Sequence, residues 1–183
     1  MPSKEEELAL MSRIASGSVE AMRAAYEAHN DAAMRFIMTR VRDPFEAADI
    51  AHEVMLDIWR GASAFQGRSS LRSWILSIAR NKAIDHIRKH SRQELREPDQ
   101  QQPDDAPSAD TIIAASQDAK RVRDCIGKLP ASQRAAIQLS FFDDLNYAEI
   151  AEIEQRPLNT IKTRMFHAKQ NLRRCLGGDL RTR

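Results

Sequence analysis

The sequence predicts an all-α protein of two small helical domains joined by a flexible acidic linker. Three observations predict it. Aromatic residues make up only 5% of the 183-residue chain, charged residues 30%, and there are only six glycines, a balance that suits helical bundles better than sheets. Apolar residues recur at steps of three and four along most of the chain. Between the two periodic blocks lies a stretch rich in Pro, Gln and acid, residues 92–110, with almost no large apolar side chains.

The elements follow in order. Residues 4–16 read as a short helix, broken at Gly17-Ser18, with Ser18 placed to cap the next. A long helical stretch spans 19–41, with a bend expected near Asn30-Asp31. Asp43-Pro44 marks a new start, with proline at the first helical position. Over 44–60 the spacing places Phe45, Ala48, Ala51, Val54, Met55, Ile58 and Trp59 on one face, and Glu46, Asp49, His52, Glu53 and Asp57 on the other. Residues 61–70 have loop composition, and Ser69 or Ser70 can cap a helix running from Leu71 to about His90. That helix has two apolar stripes, Leu71, Trp74, Ile75 and Ile78 against Leu76, Ala83, Ile84 and Ile87, so it should be packed on two sides. Trp74 reads as core; for Phe65, in a polar loop, core packing and a nucleic-acid role are equally compatible with the sequence.

After the linker, helices are expected over 111–128 and 131–142, separated by Leu129-Pro130. Asn146 and Glu149 have the spacing of a capping box, and Leu145 and Ile150 that of a hydrophobic staple around a short helix at Tyr147–Ile153. From Pro157 a second helix carries Leu158, Ile161, Met165, Ala168 and Leu172 as one stripe. Its opposite face carries Asn159, Lys162, Thr163, Arg164, His167, Lys169 and Arg173. A short helix, a tight turn and a basic, amide-rich helix make a helix-turn-helix, whose second helix suits a DNA major groove.

Charge is distributed unevenly. Residues 1–91 hold 13 Lys/Arg against 12 Asp/Glu, net +1; residues 92–119 hold 2 against 7, net −5; residues 120–183 hold 13 against 7, net +6. Around the first-domain loop, Arg68, Arg72, Arg80, Lys82 and Arg88 with Asn81 suit a single-stranded or melting nucleic acid, cations to phosphates and loop to an unstacked base. The acidic helix face would repel DNA and fits a solvated surface or a basic protein partner. No apolar run approaches a membrane span and the N-terminus does not read as a signal peptide, so a cytoplasmic protein is expected. Cys125 and Cys175 read as small, unpaired helix residues of a reducing compartment. His29, His52, His86, His90 and His167 read as scattered, so no metal is assigned; no cofactor or catalytic motif is found.

The stretches 49–60 (Asp-Ile-Ala-His-Glu-Val-Met-Leu-Asp-Ile-Trp-Arg), 65–75, 78–88, 129–134 and the helix-turn-helix together resemble bacterial sigma factors of the extracytoplasmic-function type, which keep only regions 2 and 4. The resemblance covers about residues 19–91 and 111–175. It implies a region 2-like domain at 1–91, a linker at 92–110, a region 4-like domain at 111–177 and a tail at 178–183. It implies that Asp49, His52 and Glu53 dock on the β′ clamp helices of core RNA polymerase. It implies that Phe65, Gln66, Arg68 and Ser69, with Arg72, Arg80, Asn81, Lys82 and Arg88, hold the −10 element of promoter DNA. Asn159, Thr160, Lys162, Thr163, Arg164, His167 and Lys169 would face the −35 element, and other region 4 surfaces the β flap. An anti-sigma factor is the expected regulatory partner. The 19-residue linker reaches at most ~65 Å, enough for a spacer of about 17 base pairs, or about 58 Å.

The sequence departs from the family pattern in three places. His52 stands where Gln is usual and His167 where Arg is common. Glu154-Gln155 replaces the usual Leu-Gly, which removes an apolar contact and puts a side chain where a positive φ is expected. Two other readings remain open: a sigma-like decoy that binds an anti-sigma factor without binding DNA, and an ordinary dimeric helix-turn-helix regulator. The retained basic faces argue against the first, the acidic helix and linker against the second.

Overall fold

The computed structural model describes residues 3–94 and 115–178, with side chains for 3–90 and 119–177. Described residues form helices and turns, with no strand among them. The linker reading of 92–110 starts three residues too early, because 92–94 continue the helix that begins at Leu71; 95–110 and 179–183 lie outside the described residues.

Each helix of the first domain starts where its sequence supplies an acceptor. Helix α1 (Lys4–Ala15) opens with a capping box between Ser3 and Glu6. Helix α2 (Val19–Ile37) is capped by the Ser18 hydroxyl and runs unbroken through Asn30-Asp31, ending four residues before the sequence reading does. Helix α3 (Pro44–Gly61) begins on Asp43, whose carboxylate accepts from the Phe45 and Glu46 amides at 2.7 and 3.1 Å. Helix α4 (Leu71–Glu94) is capped twice: the Ser73 amide donates to the Ser70 hydroxyl, and the Leu71 amide donates at 2.9 Å to Glu7 of α1. Glu7 is thereby buried with its charge at a helix N-terminus, where the dipole favours it.

Helix α3 buries Ala51, Val54, Met55 and Ile58 of the face that the sequence predicts and half-buries Trp59, but its N-terminal members differ. Ala47, Ile50, Ala51, Val54, Met55 and Ile58 are buried, whereas Phe45 is 82% exposed and Ala48 is exposed. Ala47, in the same first turn, is fully buried, so Phe45 lies on the outward side of that turn.

The second domain comprises α5 (Ala115–Gly127), α6 (Ala131–Ile137) with a π turn at Gln138–Phe142, α7 (Tyr147–Glu154) and α8 (Leu158–Gly178). Helix α6 is shorter than expected because the chain widens into that π turn. Asn146 and Glu149 close the expected capping box, and Leu145 and Ile150 are buried beside it. On α8, Ile161, Met165 and Ala168 are buried as expected, but Leu158 is 40% exposed.

The Cys125 and Cys175 reading is overturned. The two form a disulfide across a Cα–Cα distance of 5.9 Å, clipping α5 to α8. Spacing 50 residues apart could not reveal it, because the pairing depends on how two helices cross.

The two domains pack on each other. Helix α4 lies between α2 and α3 on one side and α7 on the other, the two-sided packing that its double stripe predicts. One apolar cluster runs from Met11, Phe36, Leu71 and Ile75 into Leu139, Ile150, Ile153 and Ile161. A smaller cluster of Leu129, Ala136, Ile137, Met165 and Ala168 belongs to the second domain alone.

Candidate nucleic-acid interface

The turn between α7 and α8 builds the recognition element. Gln155 adopts the left-handed conformation, φ 49° and ψ 48°, the positive φ expected where the family has glycine. The Arg156 amide closes the helix end on the Ala151 carbonyl at 3.0 Å. Helix α8 then presents Asn159, Lys162, Thr163, His167 and Lys169 to solvent, with Thr160 half-buried. Asn159, Thr160, Thr163, Arg164 and His167 border a shallow concavity that Ser132 and Gln133 of α6 complete. Five of the seven residues expected at the −35 element are therefore exposed, with Lys169 set to one side over the Phe141 ring. Thr160 and Arg164 are half-buried, and Arg164 pairs with Glu154 at 3.1 Å.

The first-domain set is divided. Gln66 and Arg68 are exposed in the loop, with Ser69 half-buried. Phe65 is only 7% exposed and packs on Trp74 with ring centroids 5.4 Å apart. In this conformation it is a core residue, the packing role that the sequence left open beside a DNA contact. The physical reason is the loop itself: Gly67, at φ 60°, lies against Lys4 and Leu8 of α1, and this folds the loop inward. Lys82 is also spent elsewhere, on Glu53 and Asp57 at 3.1 and 3.0 Å. Burial disfavours its ammonium, but hydrogen bonds to Asp57 and Glu53 outweigh that and hold its pKa above the ordinary lysine value. Arg88 is exposed beside Asp85.

Arg72 and Arg80 form a strip that the second domain partly covers, with Asn81 exposed at its edge. Arg72 pairs with Asp143, a fully buried carboxylate that also has Arg35 at 3.9 Å and receives the Gln138 amide at 3.3 Å. Arg80 donates to Gln155 at 3.1 Å, and the Gln155 amide reaches Asn81 at 3.5 Å. Glu154, 4% exposed, takes both Arg40 of the first domain and Arg164. The Arg134 guanidinium crosses to the Thr39 carbonyl at 3.0 Å. Glu154 and Gln155, the two departures from the family pattern, are thus the residues that fasten the helix-turn-helix to the first domain. The position that loses an apolar contact gains a buried ionic one. The fit is incomplete: Nε of Arg72 and of Arg80 are buried with no acceptor.

Asp49, His52 and Glu53 lie exposed together on α3. Beside them Val19, Met22, Tyr26, Leu56 and Trp59 border an open apolar groove between α2 and α3. No helix among the described residues is long and apolar enough to cross a membrane.

The histidine reading also needs correcting. His86 and His90 do have the His-x-x-x-His spacing, and one helical turn stacks their rings at 4.2 Å between centroids. Glu46 of α3 meets both imidazoles. Among the described residues these three form a cluster with one candidate ligand atom from each within 4.8 Å of the others, where no metal was assigned from sequence.

Comparison with known proteins agrees with this architecture. Residues 25–93 match Sigma-70 region 2 and residues 119–172 match Sigma-70 region 4. The ECF RNA polymerase sigma factor SigK of Mycolicibacterium vanbaalenii is 32% identical over 174 residues, covering 92% of this chain and 88% of that protein. The factor of the same name from Mycobacterium tuberculosis is 29% identical, covering 92% of each chain. Among solved structures, the sigma factor RpoE of Bartonella quintana, in complex with the anti-sigma factor NepR, shares the fold with a TM-score of 0.72 at 22% identity, over 87% of this chain and 98% of that one. CnrH, solved with the cytosolic domain of CnrY, aligns with a TM-score of 0.66 at 20% identity, over 94% and 98%. The chain belongs to the extracytoplasmic-function (ECF) sigma factors of RNA polymerase, which are non-enzymatic transcription initiation factors.

Proposed function

We propose that this sigma factor acts in the cytoplasm, carrying core RNA polymerase to promoters with paired −35 and −10 elements and capturing the −10 strand as it melts. Residues 1–94 form the polymerase-docking and −10 unit, 95–110 the acidic linker and 111–178 the −35 unit, followed by the tail at 179–183. The observation that carries the reading is the exposed polar and basic face of α8 directly after the helix-turn-helix turn. Asn159, Lys162 and Thr163 read base edges, each good bidentate contact contributing about 1–3 kcal/mol of discrimination, and Lys169 meets phosphate. Asp49, His52 and Glu53 dock on the β′ clamp helices, with the neighbouring groove supplying apolar area. The apolar groove of Val122, Ile126, Phe141, Phe142 and Leu172 on the second domain suits the β flap.

The described conformation is a closed form, and polymerase binding separates the domains. Opening frees Arg72, Arg80 and Asn81 for the −10 strand, with Gln66, Arg68, Ser69 and Arg88 around them. Phosphate oxygens then supply the acceptors that the two buried guanidinium Nε atoms lack. Phe65 supports this site from the core. An anti-sigma factor, the kind of protein with which the Bartonella RpoE forms its complex, would here hold the closed form.

Run-off transcription from a promoter library, with core polymerase and with or without this protein, tests the reading. New transcripts that share paired upstream elements are expected. Absence of new transcripts, together with tight capture of an anti-sigma factor, would instead establish the decoy reading, which the covered state of Arg72 and Arg80 also accommodates.

A further inference from the structure

The seam between α3 and α4 holds a group of side chains that promoter recognition does not use. At one end Lys82 lies between Glu53 and Asp57. One and two turns along, the same side of α4 presents His86 and then His90, and α3 answers with Glu46. His86 Nε2 lies 3.0 Å from one Glu46 carboxylate oxygen, and His90 Nε2 lies 3.6 Å from the other. One candidate ligand atom from each of the three residues falls within 4.8 Å of the others.

These spacings match what a metal ion needs. Tetrahedral zinc with ligand bonds of about 2.0–2.1 Å requires ligand atoms about 3.3 Å apart; the two carboxylate–imidazole distances, made to different Glu46 oxygens, are 3.0 and 3.6 Å, so a small side-chain adjustment closes the set. Two histidines four residues apart on one helix face are the spacing that zinc-binding helices use. The carboxylate comes from a different helix, so an ion here would link the first turn of α3 to the last described side chains of α4. Imidazole with a carboxylate selects zinc, nickel or cobalt over magnesium or calcium. The Glu46, His86 and His90 side chains are 39%, 23% and 48% exposed, so an ion can reach them from solvent. Lys82, the nearest cation along this face of α4, is engaged by Glu53 and Asp57 and does not compete for Glu46.

We propose that Glu46, His86 and His90 bind a divalent transition-metal ion of the zinc class, bridging α3 to α4. Three protein ligands leave the remaining position to water, an open and exchangeable coordination rather than the closed four-ligand set of a structural zinc. It ties the end of α4 that leads into the linker to the helix expected to dock on polymerase.

The test uses the full chain with its disulfide intact, titrated with Zn2+ by calorimetry and with Co2+ by absorption. The expected result is saturable binding of one ion per chain and a visible cobalt d–d spectrum without a near-ultraviolet thiolate band. At a hundredfold excess over Kd, Zn2+ raises Tm by about 5 °C or more. His86→Gln, His90→Gln and Glu46→Gln each weaken binding by at least about tenfold, while His167→Gln leaves it unchanged. Glu46 is a partly exposed side chain, so Glu46→Gln keeps the test informative even where a histidine variant folds poorly. Absence of a saturable site, a thiolate band, or affinity unchanged in Glu46→Gln and His86→Gln would each overturn the proposal.

Discussion

Glu154 concentrates the chemistry of this chain in one side chain. It is buried, it replaces the leucine usual at its position, and it takes two arginines, Arg40 from the first domain and Arg164 from the recognition helix. Removing one partner of a buried pair leaves the other charge uncompensated, at a cost of about 3–5 kcal/mol. Glu154→Gln should therefore destabilise the closed protein by about that amount in urea denaturation. The double variant Arg40→Met/Glu154→Leu should recover most of the loss, because a well-packed apolar pair can replace a buried ionic one. Gln155 carries a different trade. Its left-handed backbone costs about 1 kcal/mol relative to glycine, yet its side chain reaches Arg80 and Asn81. Gln155→Gly should relieve the strain and weaken the domain contact together, raising DNA affinity without lowering the stability of the helix-turn-helix. Phe65→Ala should lower stability by about 3 kcal/mol, the scale for emptying a buried aromatic site. Polymerase binding and open-complex formation should then fall in parallel; a selective loss of open complexes would instead place Phe65 at a base.

At the scale of elements, α8 serves two masters. Its first turns present the basic face, and its last turns are clipped to α5 by Cys125–Cys175. A cross-link closing about 50 residues contributes up to about 4 kcal/mol by loop entropy alone. Reduction, or Cys175→Ser, should lower the Tm of the second domain and leave the first domain's core largely intact. Differential hydrogen exchange of the oxidised and reduced protein checks this: amides of α5 and the end of α8 should lose protection first. The same helices border the apolar groove of Val122, Ile126, Phe141 and Leu172, so reduction should also loosen that surface.

The whole molecule balances closure against release. Its apolar cluster crosses the domain boundary, but the ionic contacts there leave two guanidinium donors without acceptors. Asp143→Asn combined with Glu154→Gln should shift the population toward an open form, read as a larger radius of gyration in solution scattering. Acidification should also weaken the packed state through His29. Burial, and then the Arg72 charge, hold its pKa below the ordinary value of 6.5, so the unfolded chain takes up the proton more readily. Its contribution is complete above pH 6.5 and is lost as pH falls from there through the lowered folded value. Denaturation between pH 7.5 and 5.5 should show stability falling, with a shallower slope in His29→Gln.

The sequence by itself determined the helices, their caps and the recognition face. Ser18, Asp43, Ser70 and Asn146 cap where their local acceptors meet free amides, and periodicity set Ile161, Met165 and Ala168 against Lys162 and Thr163. These are short-range matters, fixed by neighbours within one or two helical turns. The double stripe of α4 also revealed that a second partner had to exist. Only the tertiary structure decided which one: α7, with Asp143, Glu154 and Gln155 closing on Arg72, Arg40 and Arg80. It likewise decided the burial of Phe65, the capture of Lys82 by α3, the Cys125–Cys175 bond and the meeting of Glu46 with His86 and His90. The His-x-x-x-His spacing was legible in the sequence, but its carboxylate, 40 residues from His86, was not. Each of these depends on how helices far apart in the chain cross, and residue spacing along one helix carries no record of the face another helix will bring to it.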